Sequence, residues 1–127
     1  MLTGLWKWGL IMKRLTLIVA LCLLTGASVA DLFDGNGLYR FFQMCEQFKN
    51  GDKSIENYWN CGVSKGYVAG VHDTLLGQAF CTPANTSLGQ VEDVVHFWLK
   101  NHPAERSYSA ESLVVAALQE AWPCADE

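Results

Sequence analysis

SIENYWNCGVSKGYVAGVHDTLLGQAFC, residues 54–81, decides the fold. Ser54 is a residue that opens helices. Behind it, Tyr58, Cys61, Val68, Val71, Leu75 and Ala79 recur at helical spacing, and the helix is expected to end before Cys81-Thr82-Pro83. Cys61 therefore sits near the start of one long helix and Cys81 at its exit. At 1.5 Å of rise per residue the two lie roughly 30 Å apart. A disulfide needs Cα atoms within about 7 Å. Cys61 and Cys81 must therefore belong to different bridges.

Working outward, three more helices appear. Leu38, Phe41, Phe42, Cys45 and Phe48 form an apolar stripe before the long helix, with Asn36 as the expected N-cap and Asn50-Gly51 as the stop. After it, Ser87 and Gln90 make a capping-box pair. Leu88, Val91, Val94, Val95, Trp98 and Leu99 line the face of this third helix, and Asn101-His102-Pro103 ends it. Ser107 or Ser109 caps a fourth helix, whose face is Ala110, Leu113, Val114, Ala117, Leu118 and Ala121. Trp122-Pro123-Cys124 closes it. No segment alternates with period two for long, so no sheet is expected. The reading is all-α: a small four-helix bundle, with room for one short extra turn.

Short connections make consecutive helices antiparallel neighbours. The end of the first helix then meets the start of the second, bringing Cys45 to Cys61. The exits of the second and fourth share the opposite pole, bringing Cys81 to Cys124. Of the three pairings that four cysteines allow, only Cys45–Cys61 with Cys81–Cys124 suits this topology. The competing reading is four free buried thiols.

Gly62, Gly66 and Gly70 repeat every fourth residue along one face of the second helix. Each costs a helix up to about 1 kcal/mol against alanine. Close approach of another backbone is the usual reason to keep such a run. That backbone belongs either to a tight crossing inside the bundle or to a second copy at a dimer seam.

The N-terminal region reads as an export signal. Met12 begins it, Lys13 and Arg14 supply its basic region, and residues 15–24 its apolar run. Ser28-Val29-Ala30 offers small residues for cleavage, placing the mature start at Asp31. Residues 1–30 are thus expected to be removed, leaving one domain over 31–127. Leu21 before Cys22 is not the small residue that a lipid-attachment site needs. No later segment is apolar enough to anchor the chain in a membrane. From Asp31 onward six basic residues stand against thirteen acidic ones, a net charge of −7. Such a surface argues against nucleic acid and anionic lipid, and fits a basic protein partner or simple solubility. Four cysteines behind a signal indicate an oxidising compartment, which for a bacterial-type signal is the periplasm.

No catalytic pattern emerges. HExxH, CxxC and phosphate-binding glycine loops are absent from the sequence. His72 and Asp73 are neighbours in sequence, and adjacent helix residues are not expected to face each other. The cysteines are committed to disulfides, so no thiol nucleophile remains. Neither an enzyme, a metal site nor a cofactor is expected.

The run Gly66-Tyr67-Val68-Ala69-Gly70-Val71-His72-Asp73 after Cys61 resembles a signature of the Rap/Tai immunity proteins. So do Cys81-Thr82-Pro83, Thr86 and Gln90, His102-Pro103, and Ala117-Leu118 before Trp122-Pro123-Cys124. The resemblance covers about residues 38–124, and Trp122 stands where a smaller aromatic is expected. It implies a periplasmic immunity protein of type VI secretion, one that neutralises a peptidoglycan amidase. It also implies a helical homodimer that plugs the amidase groove with a loop and helix surfaces.

A plug needs rigidity and a protruding polar element. Residues 101–108 supply the candidate, with His102, Glu105, Arg106, Ser107 and Tyr108 as partner-binding residues; Arg and Tyr are common interface anchors. The competing view of this stretch is a solvated connector. The competing function is a periplasmic helical binding or stress-response module with another protein partner. Gene neighbourhood separates the two, because an immunity gene is expected beside its toxin gene.

Overall fold

A computed structural model describes residues 33–125. The expected signal segment, its Cys22 and the cleavage point before Asp31 lie outside the described residues.

Four α-helices follow in order: α1, Gly35–Lys49; α2, Ile55–Leu75; α3, Leu88–Asn101; and α4, Ala110–Ala121. A single 3-10 turn, Pro103–Glu105, sits between α3 and α4 and is the short extra turn allowed for above. No strand forms among the described residues; there are only isolated bridges, such as Asp34 with Ser109.

The caps explain most boundaries. Ser54 caps α2 by accepting from the Asn57 amide. Ser87 and Gln90 form the full reciprocal box at α3. Ser109, not Ser107, caps α4. At α1 the cap is Asp34, which accepts from the Gly37 amide at 2.7 Å. Asn36, the expected cap, lies within the first turn, where it has a different task. The long helix ends at Leu75, earlier than expected, because Gly77 takes φ +78° and turns the chain back. Ala79 therefore lies beyond the helix, and Phe80 drops fully buried into the core.

The core joins all four helices. Leu38 and Phe42 come from α1, Val68 from α2, Val91, Val95, Trp98 and Leu99 from α3, and Leu113, Val114, Ala117 and Leu118 from α4. Polar side chains at this core are satisfied. Trp98 Nε1 donates to Glu120 at 2.7 Å, and Lys65 pairs with the nearly buried Glu92 at 3.2 Å. Three expected core positions are not core. Tyr58, Leu88 and Ala121 are exposed: Tyr58 sits on the rim of the buried arc of α2, whereas Leu88 is the first residue of α3 and Ala121 the last of α4, beyond the packed part of each helix.

Both disulfides form as the topology requires. Cys45–Cys61 joins α1 to α2, and Cys81–Cys124 joins the exit of α2 to the C-terminal tail, with Cα separations of 4.3 and 4.8 Å. At the second pole the Cys81 amide also donates to the Trp122 carbonyl at 2.9 Å. No helix among the described residues is long and apolar enough to cross a membrane.

His96 illustrates how the α1–α3 contact responds to pH. Its ring stacks on Phe42 at 4.9 Å and lies against Tyr39. Burial pushes its pKa below 6.5, and the cations of Lys100 and Lys49 add to this; Glu46, 3.6 Å away, and Asp93 oppose it. The unfolded chain then takes up the proton first as pH falls. Stability from this group is present above about pH 6.5 and is lost progressively below it, until the folded form also protonates. Urea midpoints at pH 7.5 and pH 5.5 should show wild type losing more than His96→Gln. Equal losses would remove His96 as the cause.

Candidate functional site

Residues 101–108 are folded back on the bundle and held from several sides. The α3 helix ends with its last carbonyls unpaired, as every helix does. Arg106 answers two of them: its Nε donates to the Leu99 carbonyl at 2.7 Å and its Nη2 to the Lys100 carbonyl at 3.1 Å. A guanidinium at a helix C-terminus is also favoured by the helix dipole. The same group lies 3.7 Å above the Tyr39 ring of α1.

The first turn of α1 has the opposite deficit, unpaired amides. The segment supplies the missing acceptors. Gly35 donates to the Tyr108 carbonyl at 3.0 Å, and Asn36 donates to the Arg106 carbonyl through its amide at 2.9 Å and through Nδ2 at 3.2 Å. A Cβ on Gly35 would overlap Leu113 and lie 2.9 Å from the Arg106 backbone, so glycine is what allows this approach.

His102 is the C-cap of α3. Its ring stacks on Trp98 at 4.0 Å, and its Nδ1 contacts the Trp98 carbonyl at 2.8 Å. A carbonyl only accepts, so Nδ1 carries the proton. His102 and Arg106 are half-buried, while Glu105, Ser107 and Tyr108 are exposed, Tyr108 to 62%. The five candidate residues thus divide into two that hold the loop and three that face outward. Gly35, Asn36 and Tyr39 are the partners that sequence reading missed. The Gly35-Asn36-Gly37 run was their only local signal.

Gly62, Gly66 and Gly70 all face solvent, and a Cβ added to any of them meets nothing within 4 Å. The internal tight crossing is therefore excluded. Beside Gly62 an open groove of about 560 Å³ runs between Phe48, Tyr58, Trp59 and Val63, and Trp59 is 70% exposed.

His72 does meet Asp73, contrary to expectation. Its Nε2 turns to Thr82 Oγ1 at 3.0 Å, and that rotation swings Nδ1 to within 3.1 Å of Asp73 Oδ1. The line Thr–His–Asp resembles a hydrolase relay in order only. Asp73 is 82% exposed, so water competes for its carboxylate, whereas a relay carboxylate is buried against its histidine. What the contact does is pin the exit of α2 beside Cys81. No group of three or more His, Cys, Asp or Glu among the described residues is placed to hold a metal ion.

A family model for Rap1a immunity proteins matches residues 34–124. Among curated proteins none matches the chain. The matched span runs from the cap of α1 to the last disulfide cysteine, and so takes in all four helices, both bridges and the clamped loop. This chain belongs to the Rap1a immunity protein family.

Proposed function

We propose that this protein is a periplasmic immunity protein that binds a peptidoglycan amidase delivered by type VI secretion and occludes its active-site cleft without changing it covalently. Family membership gives the coarser part, a toxin partner and a non-enzymatic, inhibitory role. The observation that supports occlusion of a cleft is the clamped segment 101–108, with Glu105, Ser107 and Tyr108 exposed on a support fixed from both sides. An element already ordered loses little entropy on entering a cleft. Two disulfides fit an oxidising compartment. The direct test is to mix the mature protein with hydrolases encoded beside its gene. One of them should bind stoichiometrically and lose activity. If none binds, the immunity reading falls and a general binding module takes its place.

The proposal includes a homodimer through the outward face of α2. Support comes from the open glycine stripe and from the exposed Ile55 and Trp59 at its N-terminal end. Gly66→Leu is the discriminating variant. Inside one chain the new side chain meets open space, and replacing a helical glycine adds up to about 1 kcal/mol of helix stability. The folded variant should therefore keep or gain thermal stability and turn monomeric in light scattering. A variant that stays dimeric would move the seam elsewhere.

A further inference from the structure

We propose that Arg106 acts as a positioning residue, locking residues 101–108 against the first turn of α1 in the shape that is presented to the partner. This rests on the segment being the contact surface, as proposed above.

The geometry is a mutual cap. Two helix ends meet here with complementary deficits, the amides of α1 and the carbonyls of α3. The Arg106 side chain satisfies the carbonyls, at Leu99 and Lys100. Its own carbonyl, with that of Tyr108, satisfies the amides of Asn36 and Gly35. One residue therefore fixes the loop from both sides. Its guanidinium is wedged between α3 and the Tyr39 ring, which prevents it from swinging outward. Lysine cannot substitute, because an ammonium lacks the planar fork that reaches two carbonyls while stacking on a ring. In this arrangement Arg106 contributes to recognition through order, and the neighbouring Tyr108 is the group displayed.

The loop's order is readable in the free protein. In the intact mature chain, Arg106→Ala should raise amide exchange at Gly35, Asn36 and Tyr108 by at least ten-fold, with the interior amides of α2 unchanged. Arg106→Lys should behave like the alanine variant. Tyr39→Leu leaves the Arg106 side chain in place but removes the ring beneath the guanidinium, together with its contact to His96, and should loosen the same three amides, while Tyr39→Phe keeps both ring contacts and should match wild type. Tyr39→Leu also serves if Arg106→Ala fails to fold. Unchanged exchange at the three amides in Arg106→Lys and Tyr39→Leu overturns the proposal, whatever any toxin does. With the cognate amidase as probe, the loosened variants should bind at least ten-fold more weakly. Loosened amides with undiminished binding would leave the clamp standing and remove segment 101–108 as the contact surface.

Discussion

Replacing Cys81 and Cys124 together by alanine is expected to lower stability by about 4 kcal/mol, and Tm by about 15 to 30 °C. The magnitude follows from the loop that the bridge closes. Cys81 and Cys124 are 43 residues apart, so the reduced chain gains the entropy of a long open loop. Cys45 and Cys61 are 16 apart, and the same relation gives about 3 kcal/mol for their removal. A domain of this size has about 5 to 15 kcal/mol in total, so losing either bridge leaves a marginal fold. Local structure sharpens the expectation for the longer loop. The bridge tethers the exit of α2 at the place where Phe80 enters the core and Thr82 meets His72. Without it, the tail after α4 is held at that pole by the bond from the Cys81 amide to the Trp122 carbonyl and by the packing of Trp122 on the core. Urea unfolding of the two double-alanine variants checks the ranking. If removing Cys45 and Cys61 proves the more damaging, burial of those two side chains outweighs loop entropy. They are 4% and 7% exposed, so alanine would leave a cavity there.

Much of this fold is legible in the chain because its decisive signals are local. A capping box needs only Ser87 and Gln90 three residues apart, and a proline at 103 stops a helix wherever it lies. The disulfide pairing is legible for a different reason: one long helix keeps Cys61 away from the exit where Cys81 lies, and the antiparallel order of the helices brings Cys45 to Cys61 and Cys81 to Cys124 at opposite poles. The misses have physical causes too. Periodicity places Tyr58 on an apolar stripe, yet the buried arc of α2 runs through Asn57, Cys61, Ser64 and Val68, two of them small polar residues that pack closely. Hydrophobicity alone cannot find such an arc. Asn36 looks like a cap because its chemistry suits one, but Asp34 is placed to reach the Gly37 amide, which frees Asn36 to bind the loop. The loop's character was half visible. Residue types nominated five side chains for a partner, and only the folded contacts reveal that Arg106 turns onto Tyr39 of α1 and that His102 stacks on Trp98 of α3. Sequence separation hides this, since Asn36 and Arg106 are 70 positions apart.

The second large effect concerns Tyr108. Replacing it by alanine should weaken binding of the cognate amidase by about 2 to 4 kcal/mol, roughly 30- to 900-fold in Kd. The stability of the free protein should change by no more than about 0.5 kcal/mol. Tyr108 contributes its backbone to the mutual cap, through its carbonyl to Gly35 and its amide to Glu105, and alanine keeps both. Its ring is mostly exposed and adds little to the core. A large, stiff aromatic held on an ordered loop is the kind of side chain that fills a cleft at small entropic expense. Arg106→Ala is expected to differ, because it disturbs helix caps in the free protein as well as binding. Calorimetric Kd and Tm for the two variants separate display from support. Should Tyr108→Ala bind as tightly as wild type, the cleft is filled by another surface, and the exposed Trp59 face of α2 becomes the next to test. Should it lose stability along with affinity, the ring is part of the fold and the division of the loop into holding and displayed residues is wrong.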